Sequence, residues 1–468
     1  MITRRLAAIV ALTMLLSATL TRAESAPNAC HKSWPVVAHR SGGRIVRTAT
    51  HLPIPCATET GFATSESSIA VNNRGAIFYS PANTENTMAR SLDGGATWNL
   101  VQPQRMEYTN FWNTVDPYVT VDRRTGRVFW VHVTGPLRTT SSVVDDSQLP
   151  GPPTFLLAFA YGFQVYSSDD DGHRWTTADY RYAPMTDWEK LFVGPPPAGS
   201  PKPVGYPNVV YVCANSPVEV VGPGRLCYKS LDGGRTFDVA GYVFPSASTP
   251  DACGALNTTV AVVDSKGTIF MPVTCSNGSY LAVSRDEGAS YEWLPVPGVP
   301  GGPNGPFPGN IAFQVAVDAS DNLSVMWLVG DRLLLATSRT NGRTWSAPAS
   351  IAGPGLHQIT IPALAAGPRG SVGVVYYASR AANAPALTAY LTETQNALAT
   401  RPLFVTAALN DPKRPIFHDY GLFDSPRADF IGSTYDASGA LWAGVVKQLG
   451  PPDANGRIAT IGYVGRLR

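Results

Sequence analysis

Ser230-Leu231-Asp232-Gly233-Gly234-Arg235-Thr236-Phe237 restates, almost residue for residue, Ser91-Leu92-Asp93-Gly94-Gly95-Ala96-Thr97-Trp98. Weaker copies begin at Ser168, Ser284 and Ser338. Five segments of the form Ser-x-Asp-x-Gly-x-Thr-aromatic thus start 77, 62, 54 and 54 residues apart. The chemistry of the segment predicts a tight turn between two strands. A short Asp accepts hydrogen bonds from amides of its own loop, Gly supplies a positive φ, and the Ser hydroxyl bonds back into the loop. The closing Trp, Tyr or Phe packs on the sheet. Thr340 replaces Asp in the last copy, which predicts a looser turn there. Asp93, Asp170, Asp232 and Asp286 are therefore expected to be structural, since a catalytic carboxylate does not recur with the fold. A unit that repeats at this period indicates a closed array.

A second pattern lies upstream of each turn. A polar residue opens an apolar strand, a Gly-containing turn follows, and an aromatic-rich strand returns. Glu66-Ser-Ser-Ile-Ala-Val with Gly75-Ala-Ile-Phe-Tyr is one instance, and Asp116-Pro-Tyr-Val-Thr-Val with Gly126-Arg-Val-Phe-Trp is another. Others open at Asp187, Asn257, Phe313, Ile361 and Asp429. Short runs of β-branched and aromatic residues bounded by Gly, Asn and Asp are strand signals. Two strands from this hairpin and two around the Ser-x-Asp turn make the four-stranded blade of a β-propeller. The reading is an all-β single propeller with seven blades, six being the alternative. The sixth blade lacks a recognisable Ser-x-Asp turn, residues 391–404 taking its place, and residues 451–468 are expected to supply a closing strand. Closure would hide every sheet edge.

Residues 1–26 read as an export signal: Arg4 and Arg5, an apolar run from Leu6 to Leu20, then Ala23 or Ala26 as the cleavage end. That run is too short to span a bilayer, and no second one follows. A secreted or extracytoplasmic chain is expected. Residues 27–60 form an N-terminal segment and residues 61–468 the propeller. Six cysteines in an exported chain point to disulfides. Proximity pairs Cys213 with Cys227 and Cys253 with Cys275, leaving Cys30 with Cys56 to pin the N-terminal segment. No Cys or His spacing supports a metal site, and no cofactor is called for. A net charge of +2 with 15% charged residues shows no basic stripe, which argues against nucleic acid. A monomer is expected.

The Ser-x-Asp-x-Gly-x-Thr-Trp turns resemble the Asp-box, or BNR, repeats of sialidase-like propellers, and the resemblance covers nearly the whole chain after the signal. Members include sialidases, other glycoside hydrolases, polysaccharide lyases and propellers that only bind. The resemblance implies an exo-α-sialidase type of glycoside hydrolase, with three arginines on a substrate carboxylate, a Tyr–Glu nucleophile pair and an Asp acid/base. An anionic sugar suits bidentate guanidinium contacts. Arg225 and Arg332 stand five and six residues before Ser-x-Asp turns, where a substrate arginine could sit. Tyr435 lies in the last blade, where the family's Tyr would fall.

The repeat itself points to a further constellation. The innermost strand of each blade starts near one mouth of the central channel, so Glu66, Asp116, Asp187 and Asp429 would share a funnel there. Glu66, Asp116 and Asp187 are candidate catalytic carboxylates. Lys190, Asp429, Arg225, Arg332 and Tyr435 are candidate substrate contacts. The alternative is that each acid caps the free amides of its own strand. The expected partner is a glycan or glycoconjugate. The readings left open are a secreted glycoside hydrolase, a non-catalytic glycan- or protein-binding propeller, and a polysaccharide lyase.

Overall fold

A computed structural model describes residues 29–46, 52–64, 66–81, 87–101, 117–134, 162–179, 181–183, 187–218, 222–244, 246, 248–250, 253, 259–302, 313–418, 430–454 and 458–468. Among them, seven antiparallel sheets form in chain order. Their inner strands are Ser67–Val71, Tyr118–Val121, Asp187–Gly194, Val262–Val263, Gln314–Val317, His357–Ala366 and Gly432–Tyr435. Each inner strand touches the next, and the last touches the first, so the ring is closed. This is a β-propeller. No helix among the described residues is long and apolar enough to cross a membrane.

The packing explains the sequence pattern. Seven apolar clusters fill the seven gaps between neighbouring sheets. The second strands are therefore covered on both faces. Ile269–Cys275 and Val372–Ser379 are buried at every residue, and neither alternates between polar and apolar. Each fully buried Phe, Leu or Val contributes about 1.5–3 kcal/mol.

Inner strands of adjacent sheets do not share a backbone ladder, so their free polar groups need other partners. Side chains supply some of them. Ser68 Oγ accepts from the Val119 amide at 3.0 Å and donates to the Pro117 carbonyl at 3.3 Å. Thr259 Oγ1 donates to the Phe313 carbonyl at 2.9 Å. Gln314 both donates to the Pro362 carbonyl and accepts from the Leu364 amide.

The Ser-x-Asp segments join third to fourth strands. In the copy at 230–237, Ser230 Oγ donates to Asp232 at 2.7 Å and accepts from the Gly234 amide at 2.8 Å. Asp232 also accepts from the Thr236 amide at 3.0 Å and its hydroxyl at 2.7 Å. The copies at 91–98 and 284–291 repeat this scheme. At Thr340 a single hydroxyl accepts from the Thr344 amide, and Ser338 stands 3.4 Å away. In the sixth sheet Thr394 and Asn396 take the Ser and Asp parts, Asn396 Oδ1 accepting from the Leu403 amide at 2.9 Å. That substitution hid the sixth turn in the sequence. A further set went unread: Asn72, Asp264, Asp318 and Asp436 each accept two amides in the turns between first and second strands.

Burial of Asp232 opposes its ionisation, but hydrogen bonds from Thr236, Ser230 and Arg235 outweigh it and hold the carboxyl below the ordinary aspartate value. The stability this adds is present above the unfolded pKa of about 3.9 and is lost as pH falls through the lower folded value. Asp232→Ala is expected to cost about 1–2 kcal/mol at neutral pH, a deficit that shrinks below about pH 4. Urea unfolding across pH checks it. A deficit constant into strong acid would remove the carboxylate from the account of the turn.

The closing sheet is completed by both ends of the described chain. Thr460–Leu467 pairs with Leu441–Gln448 on one side and Pro55–Glu59 on the other. Ala29–Cys30 adds to Pro55–Glu59, and Val36–Arg40 extends the sixth sheet beside Leu403–Ala408. Within the segment 27–60 expected to precede the propeller, Ala29–Cys30, Val36–Arg40 and Pro55–Glu59 are strands of two of its sheets. Three disulfides join Cys30 to Cys56, Cys213 to Cys227 and Cys253 to Cys275, the pairing expected from proximity.

Candidate functional site at one channel mouth

The inner strands surround a cavity of about 720 Å³ along the ring axis. Val and Ala are the commonest residues in its wall. Chemistry concentrates at its ends. Where the inner strands end, the turn residues Asp122, Asp264 and Asp318 stand with Arg123, whose Nη2 donates to the Ala366 carbonyl at 3.1 Å. Those carboxylates are engaged in their turns.

Where the inner strands begin, Lys190 dominates. It is 2% exposed, yet it lines the cavity. Its Nζ lies 4.3 Å from the Phe430 ring centroid, 4.6 Å from that of Trp188 and 5.7 Å from that of Tyr118. Three sheets supply these rings, and each is attracted to a cation over its face. Trp188 meets Phe430 edge to face at 5.9 Å. Burial pushes the Tyr118 hydroxyl up to about 12.

A bulge aims this group. The ladder pairs Asp187 with Asn215 and next Lys190 with Cys213, so the inner strand carries one extra residue. Trp188 adopts φ +56°, a left-handed conformation uncommon for a large side chain. Arg225 holds it: its Nη1 donates to the Trp188 carbonyl at 3.0 Å and to Asn215 Oδ1 at 3.1 Å. Arg225 is fully buried behind the inner strand, so it acts here by positioning the bulge.

Lys190 is the sequence candidate that reaches the cavity wall with a described side chain. Glu66 is buried at the start of the first inner strand and does not line the cavity. Only the backbone of Asp187 is described, at the head of the bulged strand. Asp116 and Asp429 lie outside the described residues. Arg332 is exposed at a hairpin of the fifth sheet, opposite Val329. Tyr435 packs between the sixth and seventh sheets and donates to Glu393 Oε1 at 3.2 Å. Burial, then the Glu393 carboxylate, pushes its hydroxyl far above the ordinary tyrosine value. Neither Arg332 nor Tyr435 meets Lys190. Trp188, Phe430 and Tyr118 were not singled out in the sequence, although each stands one or two positions after a strand-opening acid.

No protein-family model and no curated protein matches the chain. Solved structures similar to it include a Hadza microbial sialidase, 16% identical over 75% of this chain with a TM-score of 0.41. The chain spans 66% of that sialidase's own length. A streptogramin B lyase is 12% identical over 88% of this chain and 98% of its own, with a TM-score of 0.45. The NanB sialidase from Streptococcus pneumoniae is 10% identical over 95% of this chain and 69% of its own, with a TM-score of 0.39. At these identities the likeness concerns the fold.

Proposed function

We propose that the protein works outside the cytoplasm and takes a glycan at the Lys190 mouth of its channel, hydrolysing a glycosidic bond there. The observation that carries the reading is the convergence of Lys190, Trp188, Tyr118 and Phe430 on one end of a cavity of about 720 Å³. Aromatic faces suit the apolar face of a sugar ring, and a buried cation suits a carboxylate. The volume falls in the usual range for small-molecule sites. Three disulfides fit an oxidising compartment.

The acids follow from adjacency. Asp116 is two residues from Tyr118, Asp187 is next to Trp188, and Asp429 is next to Phe430. All three rings face the Lys190 ammonium. In the proposed chemistry that cation keeps one of these carboxylates ionised, as nucleophile, base or electrostatic support. A second of the three would donate a proton to the leaving oxygen. Glu66 is kept as a fourth candidate, at the head of the first inner strand. A second reading, binding without chemistry, draws support from the described part of the mouth, which contributes rings and a lysine and no lining carboxylate.

Fluorogenic glycosides, sialosides included, separate the two. Turnover by the wild type that falls at least ~100-fold in both Asp116→Asn and Asp187→Asn supports the hydrolase. No turnover on any substrate, with glycan binding retained, leaves the binding reading. Turnover undiminished in both variants removes these acids from the mechanism.

A further inference from the structure

A second cavity, of about 440 Å³, opens on the outer wall between the fifth sheet and the N-terminal strands that extend the sixth. Arg40, Arg44 and Arg401 line it, with the hydroxyl residues Ser41, Thr337, Ser346 and Thr400. No Asp or Glu is among its lining residues. Among the described residues, none of the three guanidinium groups forms an ion pair with a carboxylate.

The site is built. Arg40 and Arg44 face each other as direct partners across two strands, an arrangement of like charges that destabilises a sheet unless something answers it. Arg40 Nη1 donates to the Arg401 carbonyl, which ties the N-terminal strand to the loop of the sixth sheet. Ser41 Oγ accepts from the Ser350 amide at 3.0 Å and joins the same strand to the fifth sheet. Arg339 Nη2 donates to the Leu398 carbonyl at 3.0 Å and fastens the loop from below. Arg44 and Arg401 remain exposed at the rim.

Three cations in a concave wall with no counterion create a strongly positive potential. Guanidinium forks match tetrahedral oxyanions two oxygens at a time. We propose that this groove binds the sulfate or phosphate group of an ester ligand, independently of any chemistry at the channel mouth. The groove is a noncovalent docking site, lying among outer strands and away from the ring axis.

Calorimetric titration with glucose 6-sulfate, glucose 6-phosphate, inorganic sulfate, inorganic phosphate and plain glucose tests it. At least one ester is expected to bind ~10-fold or more tightly than glucose, and the tighter ester identifies the source of the anion. Arg44→Gln with Arg401→Gln should weaken that binding ~10-fold or more at a melting temperature no lower than that of the wild type, and Lys190→Met should leave it intact. Arg40→Lys, which keeps the charge and loses the fork, should give an intermediate loss. No ester binding by the wild type, binding of the inorganic ions alone, or undiminished binding in the double variant would overturn the proposal.

Discussion

Lys190→Met is expected to lower turnover, or glycan affinity if the protein only binds, by about 10²–10³-fold while the propeller stays folded. Methionine is unbranched and of similar length, so it keeps the contacts with Trp188, Phe430 and Tyr118. What it removes is the charge. Each cation–π contact is worth about 0.5–2 kcal/mol, and desolvation of a buried ammonium opposes that gain. The melting temperature should therefore move by only a few degrees, in either direction. Function should not be so tolerant. In the proposed chemistry the ammonium supports a neighbouring carboxylate and meets an anionic group on the sugar, and methionine does neither. Kinetics or affinity, read beside a thermal scan, checks both halves. Arg225→Ala should act through the bulge, with a smaller loss and a destabilised inner strand. Equal activity in wild type and Lys190→Met would place the site elsewhere.

Ending the chain after Ala459 is expected to abolish cooperative folding. Thr460–Leu467 is the strand between Leu441–Gln448 and Pro55–Glu59, so its removal strips each of them of one ladder and cuts Pro55–Glu59 off from the rest of the sheet. Tyr463 and Leu467 leave the cluster between the sixth and seventh sheets, and Val464 leaves the cluster between the seventh and first. At about 1.5–3 kcal/mol per buried side chain, those three residues approach the 5–15 kcal/mol of a typical domain. The two neighbouring strands would also expose edges that promote aggregation. Near-ultraviolet dichroism and a thermal scan of the truncated chain decide the matter. A cooperative melt within a few degrees of the intact protein would contradict closure by this strand.

The turns were legible in the sequence because their function is carried by side chains: Ser, Asp and Thr make the bonds, so the letters repeat. Where other letters make similar bonds, as at Thr394 and Asn396, the sixth turn was invisible. The second strands were legible as continuous apolar runs because sheets cover both their faces. The contribution of Val36–Arg40 to the sixth sheet was not, since it depends on backbone pairing across more than 360 positions, as between Val37 and Thr406. The mouth was read in part. Strand-opening acids and Lys190 stood out by position, but the rings beside them looked like ordinary core. The bulge left only a faint mark, two polar residues in succession at Glu189-Lys190, and Arg225 reaches it only through the folded sheet. For the same reason an arginine placed before a Ser-x-Asp turn is a support at position 225 and an exposed residue at position 332.

A crystal structure of the protein with a bound oligosaccharide tests the account most directly. A sugar ring is expected at the channel mouth, stacked on Trp188 or Phe430, with a polar group turned toward Lys190. A sugar seated on the outer wall of the ring, with the mouth around Lys190 left to solvent, would contradict it.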